Sequence, residues 1–436
     1  MHFSLKEENY VVIENGSFKI KAIKGVSDTN RFPSVPGYVW FRTLFSARLI
    51  PTKVGRKIED QENQNSEAQI EVISSPDISE PNSPNSSTLP KRNSKEPKYI
   101  CGAQLEEAKE KFADNFQITY PIKRGVIQNW EELEALWRHI LLKELNIKRA
   151  RNECPVLVSV PNSWKRDDYE RITQLFFETF NAPGLYIANQ ALMTMYGFGS
   201  LTGLVVDIGY GKTEITPVID CSVQYHAAQV IPIAGQDFDE YFLSLLLSDS
   251  KFMEEYGDTP DLEFARAIKE TDICEIPEDP YQIDNEKLER MEVDYLEKKV
   301  YEPLFNPQLI NRHGILSLPE AISLAISLCE TDRRNILWES ITVTGGSSLV
   351  KGFKERLETE LRLYLSASEN YGDFQVKEVK FLKLPEYFTN LRERPDLGGF
   401  LGSSITAKLS FPDPKGFINK VDYNEHGPSV IHTKGY

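Results

Sequence analysis

Three glycine-bearing turns carry the residues best suited to chemistry: Glu14-Asn15-Gly16-Ser17, Asp207-Ile208-Gly209-Tyr210-Gly211 and Thr344-Gly345-Gly346-Ser347. The first two share a pattern, an apolar run that ends on a carboxylate, a glycine turn and a returning apolar run. Without a Cβ, glycine lets backbone N–H groups come close to an anion, and the acidic residues can position a hydrated divalent cation. Two such hairpins facing each other would hold a polyphosphate between them. The third turn leads from a strand into a helix expected over 351–363, a junction suited to receiving a nucleoside on backbone. One glycine turn alone is weak evidence for a nucleotide; three in this order are stronger. The competing reading is that Gly16, Gly209, Gly211, Gly345 and Gly346 serve only the turns themselves, with no ligand.

The elements that must position these turns are legible as periodicities. The β-type run 10–13, the turn dipeptide Asn15-Gly16 and the alternating run 19–23 predict a hairpin, and 203–218 repeats it around Gly209 and Gly211. Residues 155–160 and 185–187 read as buried strands, with a turn at Arg124-Gly125 upstream of them. Behind an Asn129 cap, Leu133, Leu136, Trp137, Ile140 and Leu141 fall at helical spacing, and 164–180 and 190–196 read as further helices. A strand, turn and helix series with the same acidic-tipped hairpin twice implies an α/β protein built from two related halves.

Composition bounds the rest. The 436 residues are 40% hydrophobic and 26% charged, a globular balance, and the net charge of −15 argues against a surface that grips nucleic-acid phosphates nonspecifically. No apolar window is long enough to span a membrane, and the first residues lack the order of a signal peptide. Cys101, Cys154, Cys221, Cys274 and Cys329 are scattered and never paired as C-x-x-C, so they read as reduced core thiols, and the histidines show no metal-ligand spacing. Residues 53–98 contain no tryptophan, tyrosine or phenylalanine and are rich in serine, proline and asparagine; they read as a disordered insertion whose Ser-Pro pairs are candidate phosphorylation sites.

At this point the sequence resembles an actin-related protein. The likeness is carried by Glu14-Asn15-Gly16-Ser17, Phe32-Pro33-Ser34, Tyr120-Pro121-Ile122, Gly125-Val126-Ile127-Gln128-Asn129-Trp130, Phe176 through Asn181, Asp207-Ile208-Gly209-Tyr210-Gly211, Gly345-Gly346 and Gly427-Pro428-Ser429. The resemblance implies an α/β, actin-like two-lobed fold of duplicated ribonuclease-H-like domains in four subdomains around a nucleotide cleft. Lobe one would comprise 1–52 and 99–200, lobe two 201–390, and 391–436 would return to lobe one; the insertion 53–98 falls where actin carries its DNase-binding loop. It also implies a vestigial nucleotide site of Gly16, Ser17, Asp207, Gly209, Gly211, Lys269, Glu270, Gly345 and Gly346, with Gln190 matching the water-positioning glutamine. No metal site is expected, and the cofactor is either none or ATP bound without hydrolysis.

Departures from the family pattern bear on function. Glu14 and Phe18 replace an aspartate and a glycine; a benzyl group at Phe18 would crowd the γ-phosphate or distort the loop. Ile208, Tyr210 and Glu214 stand where actin has a serine, an aspartate and a histidine around phosphate, metal and water. Tyr210 would cap the cleft. Val350 replaces an aromatic near the adenine, and Asp396 a lysine. For Gln190, a hydrogen-bonded helix start is the structural alternative to water positioning.

The resemblance further places a partner-helix cleft at Tyr196, Leu401, Ile405 and Leu409, with split burial expected of the i, i+4, i+8 stripe. The likeness is greatest to divergent nuclear actin-related proteins that sit as pairs on the HSA helix of SWI/SNF and RSC remodelling ATPases. The implied function is a non-catalytic nuclear subunit that docks that basic amphipathic helix beside a second actin-related protein. It would form no filament, bind no membrane and make no direct sequence-specific contact with nucleic acid. The alternatives are the pointed-end subunit of dynactin and an active ATPase of the actin, Hsp70 and sugar-kinase superfamily.

Overall fold

The computed structural model describes residues 9–25, 48–57, 99–102, 104–105, 116–256, 259–270, 299–367, 378–386, 388 and 394–434. Val11–Glu14 (β1) and Lys19–Lys24 (β2) form the first hairpin, with Ile13 opposite Ala22, and Arg48–Pro51 (β3) extends it. Val54–Lys57 (β4) lies between Tyr99–Cys101 (β5) and Phe116–Thr119 (β6) in a small separate sheet. The start of the segment read as disordered, residues 53–57, is therefore ordered. Val54 is buried, and β4 is hydrogen-bonded on both edges by strands too distant in sequence for local composition to reveal. The remainder of that segment, 58–98, lies outside the described residues.

Ile122–Lys123 (β7) and Val126–Ile127 (β8) flank a turn in which Arg124 and Gly125 both take positive φ, 49° and 72°. Helix Trp130–His139 (α1) begins where the Asn129 side chain accepts the N–H groups of Glu131 and Glu132, and it buries Leu133, Leu136 and Trp137. Val156–Val160 (β9) is buried along its whole length and lies parallel to both β1 and Gly184–Asn189 (β10), as expected of a central strand. Arg166–Gln174 (α2) runs on to Thr179 in a wider turn that packs Phe176 and Phe177 into the same core. Gln190–Gly197 (α3) leads out of β10.

The second lobe repeats the motif. Gly203–Ile208 (β11) pairs antiparallel with Thr213–Ile219 (β12) and parallel with Ile341–Thr344 (β15), as β1 pairs with β2 and β9. Ser222–Val223 (β13) and Gln229–Ile231 (β14) complete this sheet. Gly235–Ser248 (α4), Leu262–Lys269 (α5) and Phe353–Ala367 (α6) supply buried side chains to its core. The helix expected over 351–363 is thus shifted by two residues at its start, because Gly352 takes φ +80°.

The chain returns through Gly398–Ser410 (α7) to Ile418–Asn419 (β16), which adds to β10 at the edge of the six-stranded sheet of lobe one. Helices α3 and α7 cross at backbone contact through Gly197, Gly398 and Gly402. Cys101, Cys154 and Cys329 are buried, as the core reading requires, and Cys274 lies outside the described residues. Cys221 departs from it: this residue is part-exposed in the tight turn after β12, at φ +64°.

Candidate functional site

Both hairpins point their turns into one cavity of about 590 Å³ between the lobes. All ten residues assigned to the nucleotide site line it: Gly16 and Ser17 from the β1–β2 turn, Gln190 from the start of α3, Asp207, Gly209 and Gly211 from the β11–β12 turn, Lys269 and Glu270 from the end of α5, and Gly345 and Gly346 after β15. Gly345 is required there, since its φ is +92° and a Cβ would collide with the Ile208 carbonyl and the Asp207 carboxylate. A Cβ on Gly346 would meet nothing.

Several of these residues are tied to neighbours. Gln190 Nε2 donates to the Asn15 carbonyl at 2.6 Å, while the Asn15 side chain bridges Trp137 Nε1 and the Ser159 carbonyl. Gln190 thus braces the first turn. Ser17 Oγ accepts the Gly125 N–H at 2.9 Å, and Ser347 Oγ donates to the Gly209 carbonyl at 2.9 Å, binding the third turn to the second. The Lys269 ammonium pairs with the buried Asp239 carboxylate and donates to the Gly235 carbonyl.

At the acidic tips, Lys21 Nζ lies 2.5 Å from Glu14 and donates to the Asp396 carbonyl, and Lys212 Nζ lies 2.5 Å from Glu214. Burial opposes the Lys21 charge, but Glu14 and Asp396 outweigh it and leave its pKa raised. Asp207 lies within reach of the charges of both pairs. Removal from water, then the like charges of Glu214 and Glu14, raise its pKa to about 7 from 3.8, against partial relief from Lys21 and Lys212. Between these two values the folded protein holds a proton that the unfolded chain has released, so stability falls as pH rises from about 4 to about 7. Asp207→Asn should therefore stabilise the protein at pH 8 by about 2 kcal/mol, after discounting for solvent in the cleft, and by less at pH 5. Thermal melts at the two pH values check this; an equal gain at both would refute the linkage.

Between the phosphate-type turns lies an aromatic bridge. The Phe18 ring lies tilted by 31° against Tyr210 at 4.6 Å between centroids, and the Arg266 guanidinium lies 5.1 Å and 5.3 Å from the two rings. Arg266 Nη2 donates to Tyr210 Oη at 2.6 Å and its Nε to Asp239 at 2.8 Å. Sequence reading gave Arg266 no role, nor Asp239, Arg124 and Asp237, because each acts through a partner remote in sequence. Ile208 points away from the cavity into the core of lobe two.

The residues present fit part of a nucleotide. The volume and the open backbone at Gly345-Gly346 suit a nucleoside. The other end does not suit a terminal phosphate with its cation, because rings span the gap between the two turns and lysines hold Glu14 and Glu214.

A family model for actin matches residues 5–436. The chain belongs to the actin family. It is 27% identical to the SWI/SNF and RSC complexes subunit arp9 of Schizosaccharomyces pombe, with 99% of each chain aligned. It is 31% identical to actin-related protein 7 of Arabidopsis thaliana, over 72% of this chain and 84% of that protein. Actin-related protein 2 of Acanthamoeba castellanii is 27% identical over 89% of this chain and 93% of the relative. The fold described above is thus an actin-family fold.

The second candidate surface of this actin-family chain runs along α7. Leu401 is fully buried, which corrects its assignment to an accessible cleft: one turn from the α3 crossing, its side chain is core. Ile405 is part-buried against that same core, as is Tyr196 of α3, and Leu409 is 73% exposed. The stripe thus runs from core to surface along about two turns of one helix, the split burial expected of it.

Proposed function

We propose that this actin-related protein is a non-catalytic structural subunit of a SWI/SNF- or RSC-type chromatin-remodelling complex in the nucleus, docked with a second actin-related protein on the HSA helix of the remodeller ATPase. End-to-end alignment with the arp9 subunit supports the assembly. The observation that carries the non-catalytic half is the Phe18–Tyr210 ring contact, held by Arg266, between the two turns that would cradle phosphates. Phosphoryl transfer depends on donors and cations placed around the transferring group, and here aromatic rings and internally paired lysines take that space. The cleft holds either no cofactor or ATP without turnover.

The docking site is the Tyr196, Ile405 and Leu409 edge, an apolar strip that one face of an amphipathic helix would cover. A chain of net charge −15 suits a Lys- and Arg-rich helix, and complementary charge speeds encounter more than it tightens the complex. Affinity purification should recover a remodeller ATPase and a second actin-related protein; recovery of dynein-associated chains alone would refute the assignment. Purified protein should hydrolyse ATP no faster than a blank. Turnover that disappears in Gln190→Ala would overturn the non-catalytic reading.

A further inference from the structure

We propose that side chains of this chain clasp its two lobes together across the floor of the cleft, with Arg124 as the latch, so that lobe closure needs no bound ligand. Arg124 sits in the β7–β8 turn of lobe one. Its guanidinium reaches into lobe two and grips Asp237 of α4 with both arms, Nη1 to Oδ2 at 3.1 Å and Nη2 to Oδ1 at 2.9 Å, while Nη1 also donates to the Pro232 carbonyl at 3.0 Å. Two-armed arginine–carboxylate pairs are the strong, geometrically demanding kind. Asp237 is a fixed anchor: it is 3% exposed, accepts the Ala234 N–H at the start of α4, and is also met by Arg312. Opening the lobes would strand this buried carboxylate with a single, part-exposed cation.

Three further ties cross the same floor. From the β11–β12 turn, Lys212 Nζ donates to Ser163 Oγ of lobe one at 2.7 Å. Its stem lies where a Cβ on Gly125 would be, so the glycine makes room for the crossing. Asn162 Nδ2 donates to Thr216 Oγ1 at 2.6 Å, and the Phe18 ring packs against Tyr210. All four ties are made by protein atoms alone, and the Phe18–Tyr210 contact joins the hairpin turns of the two lobes directly. The inference stands apart from the remodeller assignment, because partner recovery and ATP turnover do not report on it.

Hydrogen exchange of the full-length protein, read by mass spectrometry over 14–18, 207–214 and 232–240, tests the clasp. The variant Arg124→Asn removes the guanidinium but keeps a residue that tolerates φ +49°. Lys212→Met removes a second tie at another position and serves if the first variant does not fold. In the wild type these segments should exchange slowly, and neither EDTA nor added Mg-ATP should change their rates more than twofold. Each variant should exchange at least ten times faster there, with β9 unchanged. Wild-type rates in the folded variants, or a tenfold slowing of the wild type by Mg-ATP, would overturn the proposal.

Discussion

Gly402→Ala is expected to destabilise this protein by roughly 3 kcal/mol or more, a large share of the stability of an ordinary domain. In most helix interiors the same change gains about 1 kcal/mol, because alanine is the better helix former. The sign reverses here because Gly402 lies on α7 where it crosses α3. A Cβ would fall far inside 3.0 Å of the Met193 carbonyl oxygen and would also press on the Gly197 N–H. Both obstacles are backbone, which cannot swing aside as a side chain can. Gly197→Ala meets the Gly398 carbonyl in the same way and should behave alike. Gly346→Ala, whose Cβ meets nothing within 4 Å, is the control. Chemical denaturation of the three variants checks this, and a Gly402→Ala protein as stable as the wild type would show that the helices have room to separate. The crossing also sets where Tyr196 stands relative to Ile405, so a shifted α7 would distort the proposed partner groove.

Leu409→Asp is expected to weaken binding of the partner helix by about thirty-fold, roughly 2 kcal/mol, while leaving the fold intact. Leu409 is 73% exposed, so a carboxylate there stays in water in the free protein and is desolvated only when an apolar helix face covers it. Ile405→Asp should weaken binding further but is the less clean probe, since Ile405 packs against the core formed with Leu401 and Phe400. Leu363→Asp, an exposed apolar position on α6, should have no effect on binding. Calorimetric titration with a peptide spanning the remodeller helix, beside a circular dichroism spectrum of each variant, reads both quantities. Wild-type affinity in folded Leu409→Asp would remove this edge from the docking surface.

Local patterns sufficed wherever one segment decides its own structure. The two acidic-tipped hairpins, the Asn129-capped helix and the continuously apolar strand Val156–Val160 were legible because periodicity, turn glycines and capping act within a few residues. The repeated hairpins and the third glycine turn were enough to anticipate that Gly16, Asp207 and Gly345 would converge, whereas Lys269 was placed only by the resemblance to the actin-related family. What fills that cleft was less legible. Phe18 marked a departure from the family pattern, but its ring contact with Tyr210 and the bracing by Arg266 join residues 192 and 56 positions apart. The latch from Arg124 to Asp237 spans 113 positions, and in sequence Arg124 is only the first half of a turn dipeptide.

The sequence by itself determined the α/β class, the duplicated hairpins and the three glycine turns of the cleft, because these follow from short-range backbone preferences and their order; Gln190, Lys269 and Glu270 were placed there only by the family resemblance. Tertiary structure alone decided that β4 is ordered, that Leu401 is core while Leu409 is surface, and that protein side chains bridge the lobes across the floor of the cleft. Those outcomes depend on burial and charge pairing between segments brought together only by folding, and no local pattern encodes a partner a hundred residues away.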